Sequence, residues 1–565
     1  MALRREVPAV AILLGLSLVV RLPGIGQSMW SDEMASIGHA RVALADLPDE
    51  MVRADTHPPL YYLLLWFWYR LGKGDVWLRL LSLALGLSTV LAVYVAARML
   101  GGPRWATASG ALAALSPGLI WPSQEVRSYV LGILLVVVSY ALLVRVLRGG
   151  ALWLWIALGL SEMGAVLSFY FALLPLIPAN AYLLWLGIVQ QARQGSSRLL
   201  RGWGTSVLAA MCLFALWAPF FLQQLSHVGA DTGHVEPLQA VRKMVWETAS
   251  VTPLDAVNSL IERLGVSQSS SMTIVIALGA LGILWLANRR CRVIEWTKEQ
   301  KQGVLLAGAM ALGTTVLAPL IVLAFGVTGQ WLRSRYFVVI DGLGALVAGG
   351  LIASMRPRAL GLGAGVALCV LLAASLPELA YQKKEPWKEA AVWIDRHVAK
   401  GDCMIGVQGD TGGYAYYGHS KTPRYDLPFQ APGVGRQRER DDWLGAIKPG
   451  DIEAISALLS KYERVIAIWS HSSRLGEDRG EEILKEWFAE NRYVVIDSTE
   501  FVGGRGVRIE IFARQPEGGK ASGKGPSAAP REGSLLQAPS EGQAPGLPLS
   551  AAGTKAGREE TGGRS

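Results

Sequence analysis

Asp32 and Glu33 stand side by side in Met29-Trp30-Ser31-Asp32-Glu33, directly after the first apolar run of the chain. Adjacent carboxylates at a membrane surface are costly to desolvate, and they usually have a task there. His57-Pro58-Pro59-Leu60-Tyr61-Tyr62 follows, then Ser123-Gln124-Glu125-Val126-Arg127-Ser128-Tyr129, and much later Arg333-Ser334-Arg335-Tyr336. A carboxylate is a common general base for a hydroxyl proton. Arginine presents a planar fork of donors that matches phosphate oxygens. A base held at the lipid–water boundary can act on a substrate carried by a lipid.

Each of these residues also has a structural use. Ser31 and Asp32 are good N-caps, so the acidic pair could simply open a juxtamembrane helix. His57 before two prolines could mark a helix start. Glu125 and Arg127 could pair with each other at a span end, and Arg335 could be an interfacial anchor like Arg333. Arg79, at the head of a span, reads as structural.

The elements that position these residues are membrane helices. The 565 residues are 51% hydrophobic with mean hydropathy +0.32, too apolar for an ordinary soluble protein. Many of the 20 Trp residues, among them Trp30, Trp66, Trp68, Trp77 and Trp105, fall near span ends as in an interfacial belt. The net charge of +9 does not point to nucleic acid, because the basic residues are scattered over short loops between apolar runs. A crossing helix needs roughly 20 apolar residues. Spans are expected near 6–22, 78–98, 105–122, 128–147, 151–170, 171–190, 203–222, 271–288, 303–325, 336–355 and 358–378. The first resembles a signal peptide but lacks a small-residue cleavage site, and it reads as uncleaved.

The run 57–72 is too short to cross, opens with His-Pro-Pro and is rich in Tyr and Trp, so it reads as a helix lying in the interface. With it left out, Arg4/Arg5, Arg98/Arg104, Arg145/Arg148, Arg193/Arg198/Arg201, Arg289/Arg290/Arg292 and Arg356/Arg358 gather on one side. That is the positive-inside pattern of about eleven spans, with a cytoplasmic N-terminus and an extracytoplasmic C-terminal region. Every unusual polar cluster then lies on the outer face. The expected setting is a bacterial inner membrane.

After the last span the pattern changes. A helix over 385–399, a buried strand 402–407, helix 451–461, strand 464–469, helix 479–490 and strands 492–498 and 505–513 predict a small α/β domain. Gly503-Gly504-Arg505-Gly506 reads as a hairpin turn. From Gln515 the chain is Gly, Pro, Ser, Ala and charge without apolar periodicity, the signature of disorder. The organisation expected is thus a helical membrane domain 1–380, an extracytoplasmic α/β domain 381–514 and a disordered tail 515–565. The four cysteines support no disulfide framework.

Trp30-Ser31-Asp32-Glu33, His57-Pro58-Pro59-Leu60-Tyr61-Tyr62, Arg79-Leu80-Leu81-Ser82, Ser116-Pro117 and Ser123-Gln124-Glu125-Val126-Arg127-Ser128-Tyr129, in this order, resemble the GT-C glycosyltransferases. The resemblance covers about residues 1–400. It is closest to bacterial relatives of the dolichyl-phosphate-mannose–protein mannosyltransferases and of the lipid A aminoarabinose transferase. Arg335-Tyr336 and Trp387-Lys388-Glu389-Ala390-Ala391 fit the same family. The resemblance implies juxtamembrane helices in the first outer loop, a polyprenyl-phosphate-linked sugar as donor, and transfer with inversion. By that likeness Asp32 is the base, and Glu33 orients a substrate hydroxyl or a neighbouring Arg. Arg127 and Arg335 meet the phosphate, with Tyr336 beside it. Glu125 and Tyr129 bind sugar or hold Arg127, and His57 binds donor or acceptor.

Other chemistries find little support. No Walker loop is present, and Gly361-Leu362-Gly363-Ala364-Gly365 lies in the last span, where small residues serve helix packing. His227, Asp231 and His234 share a loop without a defining ligand spacing, so no metal or other cofactor is assigned, and a role for a divalent ion stays open. The partners expected are the lipid-linked sugar, membrane lipid and an acceptor the sequence does not identify. A transporter or lipid-linked sugar flippase is the main alternative. It should show polar or broken helices at the midplane and often an internal repeat, and neither is evident. An inert relative whose C-terminal domain binds a partner is the third reading.

Overall fold

A computed structural model of the chain describes residues 2–228, 294–325, 337–379, 381, 383–407, 411–427, 455–470, 480–504 and 506–516. Helices dominate. The first apolar run forms α1 (Ala2–Arg21), and the loop after it leads to two short helices, α2 (Ser31–Arg41) and α3 (Leu47–Ala54). The aromatic run forms α4 (Leu60–Leu71), whose 12 residues fall well short of a bilayer crossing. Trp68 and Trp77 close the turn that follows: their rings stack at 4.6 Å, and each indole N–H donates to the other's carbonyl. The bundle continues with α5 (Asp75–Gly101) and α6 (Pro103–Leu115).

The apolar run expected as one span at 105–122 is broken. Ser116 is extended because proline disfavours helical backbone before it. The chain then makes a single turn, α7 (Pro117–Ile120), and a 3-10 turn over Trp121–Gln124. The break delivers Glu125 and Arg127 to the loop just before α8 (Tyr129–Leu147). Next come α9 (Leu152–Val166), α10 (Leu173–Gln194), α11 (Arg198–Ala215) and α12 (Ala218–Val228). The run expected at 203–222 is likewise not one straight helix, since α11 and α12 bend by 69°. Later helices span Lys298–Phe325, Asp341–Ser354 and Arg358–Leu379. The expected span 271–288 lies outside the described residues.

Among the described residues, Asp75–Gly101, Tyr129–Leu147, Tyr170–Gln194 and Arg358–Pro377 are long and apolar enough to cross a bilayer, and the bent pair α11–α12 passes if taken together. Buried Trp105, Tyr129, Ile133, Tyr140, Leu158 and Leu343 lie in their common core. A second cluster, with Met29, Ile37, Tyr61, Tyr62, Leu78 and Val126, packs α2, α4 and the head of α5 into one support for the loops at that end of the bundle.

After helix Trp387–His397 the chain builds a mixed sheet from β1 (Cys403–Val407), β2 (Arg424–Leu427), β3 (Arg464–Trp469), β4 (Tyr493–Phe501) and β5 (Val507–Arg514), in the order β2-β1-β3-β5-β4. β1 runs parallel to β2 and β3, and β5 is antiparallel to β3 and β4. The expected strands and the turn at Gly503–Gly506 are present. Helix Thr411–Tyr417 and strand β2 were not anticipated, being too short to show a period. The stretch read as a disordered tail lies outside the described residues from position 517.

Close helix contact offers a test. A Cβ on Gly349 would collide with the backbone of Ser109 on α6, whereas one on Gly204 meets nothing. Gly349→Ala should destabilise the detergent-solubilised protein by about 1–3 kcal/mol. Gly204→Ala should leave the melting midpoint unchanged or raise it, because alanine is the better helix former.

Candidate active site

Helix α2 begins at Ser31 after an extended Trp30, so Asp32 and Glu33 occupy its first turn, where acidic side chains meet the positive end of the helix dipole. The two acids have different surroundings. Asp32 is half-buried and Glu33 fully buried. Glu33 Oε1 accepts from Arg79 Nε at 2.8 Å and from the Val126 amide at 2.9 Å. Its Oε2 accepts from Arg79 Nη2 at 2.6 Å, Lys384 Nζ at 3.0 Å and the Trp30 amide at 3.4 Å. Arg79 donates in turn to the carbonyls of Ile25, Gln27 and Ser28. Burial pushes the Glu33 carboxyl up, but Lys384, Arg79 and the Val126 amide outweigh it and hold the group well below the usual carboxylate range. With its lone pairs occupied, Glu33 is poorly suited to take a proton from a substrate.

A second hub forms on Asp55, which follows α3. Its Oδ1 accepts from His57 Nδ1 at 2.6 Å and from the Thr56 and His57 amides. Its Oδ2 lies 3.2 Å from His39 Nε2 and accepts from the Tyr62 hydroxyl at 3.0 Å. Burial opposes ionisation of Asp55, yet His57 and His39 keep it well below the ordinary value. Burial lowers His57 from its usual value, with Arg127 adding to the effect and Asp55 opposing it. The hydrogen-bond network therefore assigns the proton to Nδ1, facing Asp55, and leaves Nε2 to accept from Arg127 Nη2 at 3.3 Å. Gln224 on α12 fixes this loop from the other side, donating to the carbonyls of Met51, Asp55 and His57.

Arg127 joins the two hubs. Its Nη1 reaches the Asp32 carbonyl and Ser36 Oγ, both at 3.2 Å, and the Tyr62 hydroxyl at 3.4 Å. Its guanidinium lies 5.7 Å from the ring of Tyr129, which stacks on Trp121 and meets Phe169 edge-on. Glu125 is buried beside Lys384, with Nζ 3.5 Å from Oε1. Burial, and next to it the charges of Glu33 and Asp32, push the Glu125 carboxyl up to about 7 against the pull of Lys384 and Arg127. Glu125 Oε2 and Arg127 Nε are buried and meet no hydrogen-bond partner among the described residues, an acceptor and a donor left over for something else.

The structure thus gathers Asp32, Glu33, His57, Glu125, Arg127 and Tyr129. Arg335 and Tyr336 lie outside the described residues, as do Asp231 and His234. Among the described residues no group of three His, Cys, Asp or Glu side chains is placed to hold a metal. Sequence reasoning passed over Asp55 and Lys384 and left Arg79 without its partner. Asp55 stands two residues before His57, within reach for a side-chain turn, and Lys384 belongs to the charged run Lys383-Lys384-Glu385 just past the last span.

The architecture has solved counterparts. ArnT from Cupriavidus metallidurans in the apo state superposes with a TM-score of 0.54 at 14% identity, over 91% of this chain and 100% of that one. The same protein bound to undecaprenyl phosphate gives 0.50 at 14%, over 90% and 99%. The fold is that of the GT-C glycosyltransferases. The sequence profile of the family described as dolichyl-phosphate-mannose-protein mannosyltransferase matches residues 56–219. No curated protein matches the chain by sequence. The matched segment runs from just before His57, through Arg79, Glu125 and Arg127, to the α11–α12 bend.

Removing one member of the buried pair leaves the other charge uncompensated. Glu33→Gln and Arg79→Met should each cost about 3–5 kcal/mol, and the double variant less than their sum, measured by melting in detergent. Because folding depresses the Glu33 pKa, its stabilisation is present above the unfolded carboxylate value and is lost as pH falls through the folded one. Acid should therefore narrow the gap between parent and Glu33→Gln.

Proposed function

We propose that this GT-C protein transfers a sugar from a polyprenyl-phosphate donor to an acceptor outside the cytoplasm, with inversion at the anomeric carbon. The observation that carries the reading is the split of the acidic pair: Glu33 is locked into a buried ion-pair hub, and Asp32, its neighbour in the same helical turn, is half-buried beside Arg127. Asp32 takes the acceptor hydroxyl proton as general base. Glu33 holds Arg79 and the loop in place. Arg127, braced by His57 and Tyr129, meets the charge that develops on the departing phosphate, with Arg335 as a second cation. Glu125 accepts from a sugar hydroxyl.

The support for a polyprenyl phosphate is the fold's likeness to ArnT, a structure of which holds undecaprenyl phosphate. The resemblance to bacterial relatives favours a bacterial inner membrane, and the arginine-rich loops favour the N-terminus inside and residues 381–514 outside, as a separate domain beside the membrane domain 1–380.

Purified parent protein, given radiolabelled polyprenyl-phosphate sugars and a membrane extract, should incorporate label. Asp32→Asn should lower transfer by about 10²–10⁴-fold while still binding donor. Asp32→Asn transferring at the parent's rate would remove Asp32 as base. Lipid-linked sugar movement across vesicles by both proteins, without transfer, would instead support a flippase.

A further inference from the structure

The C-terminal region reaches into the candidate site. Glu385 accepts from the Ser31 amide and from the Trp387 indole, capping α2 from outside that helix. The Lys384 amide donates to Gln27 Oε1, and the Lys388 amide donates to Ser28 Oγ. Asp75, at the head of α5, accepts from the hydroxyls of Tyr416 and Tyr417 and pairs with Lys388 Nζ at 2.9 Å. Lys384 projects from this docked segment between two carboxylates, 3.0 Å from Glu33 and 3.5 Å from Glu125, and also donates to the Gln124 carbonyl at 3.1 Å. Its side chain is only 10% exposed, so the charge is held where water screens it little.

We propose that Lys384 is a positioning residue of the transfer site. It neutralises and aims Glu125, leaving the unpartnered Oε2 for substrate, so that the region after the last span is a working part of the active site. Glu33 already has Arg79 as its counter-ion. Glu125 has no second cation within ion-pair distance among the described residues, and it depends on Lys384 far more. Among the described residues, the charged and titratable groups around Glu125 are Asp32 and Glu33 on α2, Tyr61 on α4, Arg79 on α5, Arg127 and Lys384. The inference rests on the transfer reading for its catalytic consequence, while the electrostatic coupling stands without it.

Two measurements on the full chain test this. The first is the melting midpoint of parent, Lys384→Met, Glu125→Gln and the double variant between pH 5.5 and 8.5. A carboxylate whose folded pKa lies above its unfolded one stabilises at low pH, and that stabilisation is lost as pH rises through the folded value. Without Lys384 the folded value of Glu125 rises further, so the penalty of Lys384→Met should grow across this range. Glu125→Gln should cancel the growth. A penalty independent of pH, or one unaffected by Glu125→Gln, overturns the proposal whether or not a donor is known.

The second is the pH profile of kcat/KM for transfer. Lys384→Met should move the acid limb up by about 1 pH unit or more, and Lys384→Arg should restore it. A parent that transfers from no donor defeats the transferase reading alone. An active parent whose profile superposes on that of Lys384→Met defeats the role of Lys384.

Discussion

The candidate site of this protein is organised by one buried carboxylate. Glu33 joins α2, the loop 25–28 through Arg79, the 124–126 segment through an amide, and the C-terminal region through Lys384. Burying a charge is tolerable only when it is paired and its lone pairs are filled, and here two cations and two backbone amides fill them. The low dielectric that makes the arrangement expensive also makes it specific, because displacement of any one partner exposes the cost of the rest. Four chain regions distant in sequence, residues 25–41, the head of α5, 124–126 and the segment at Lys384, are thereby joined beside Asp32 and Arg127.

The adjacent acids illustrate how environment separates two similar side chains. In a first helical turn, neighbouring residues point about 100° apart. One faces the packed cluster of α2, α4 and α5, and the other faces its rim. Asp55 and His57 repeat the theme on a smaller scale: the carboxylate selects the imidazole tautomer, and the tautomer leaves a nitrogen that holds Arg127. Such layered support is what keeps a cation fixed while charge develops elsewhere.

Much of this was legible in the sequence. The aromatic run after His57 reads as a short interfacial helix, and α4 is one of 12 residues. The acidic pair, the Glu125–Arg127 segment and the strands β1, β3, β4 and β5 also stood out by type and period. The breaks at Ser116-Pro117 and between α11 and α12 did not, since apolar residues continue through both and hydropathy is blind to direction. Arg79 looked structural at the head of a span, and its partner 46 residues away is fixed only by tertiary packing. Lys384 was passed over within the charged run Lys383-Lys384-Glu385. Nothing local marks a lysine whose counter-ions arrive from two remote loops.

The long sequence separation between Glu33 and Lys384, 351 residues, also orders events in time. Synthesis at about 5–20 residues per second leaves Glu33 outside its final setting for roughly 20–70 s after it is made. During that interval Arg79 can already pair with it, but the cap from Glu385 and the charge of Lys384 do not yet exist. The nascent membrane helices can therefore insert and pack with the acidic loop still incomplete. A chain truncated after the last span would carry Asp32, Glu33, Arg79, Arg127 and the bundle, and still lack the contacts from Lys384 and Glu385.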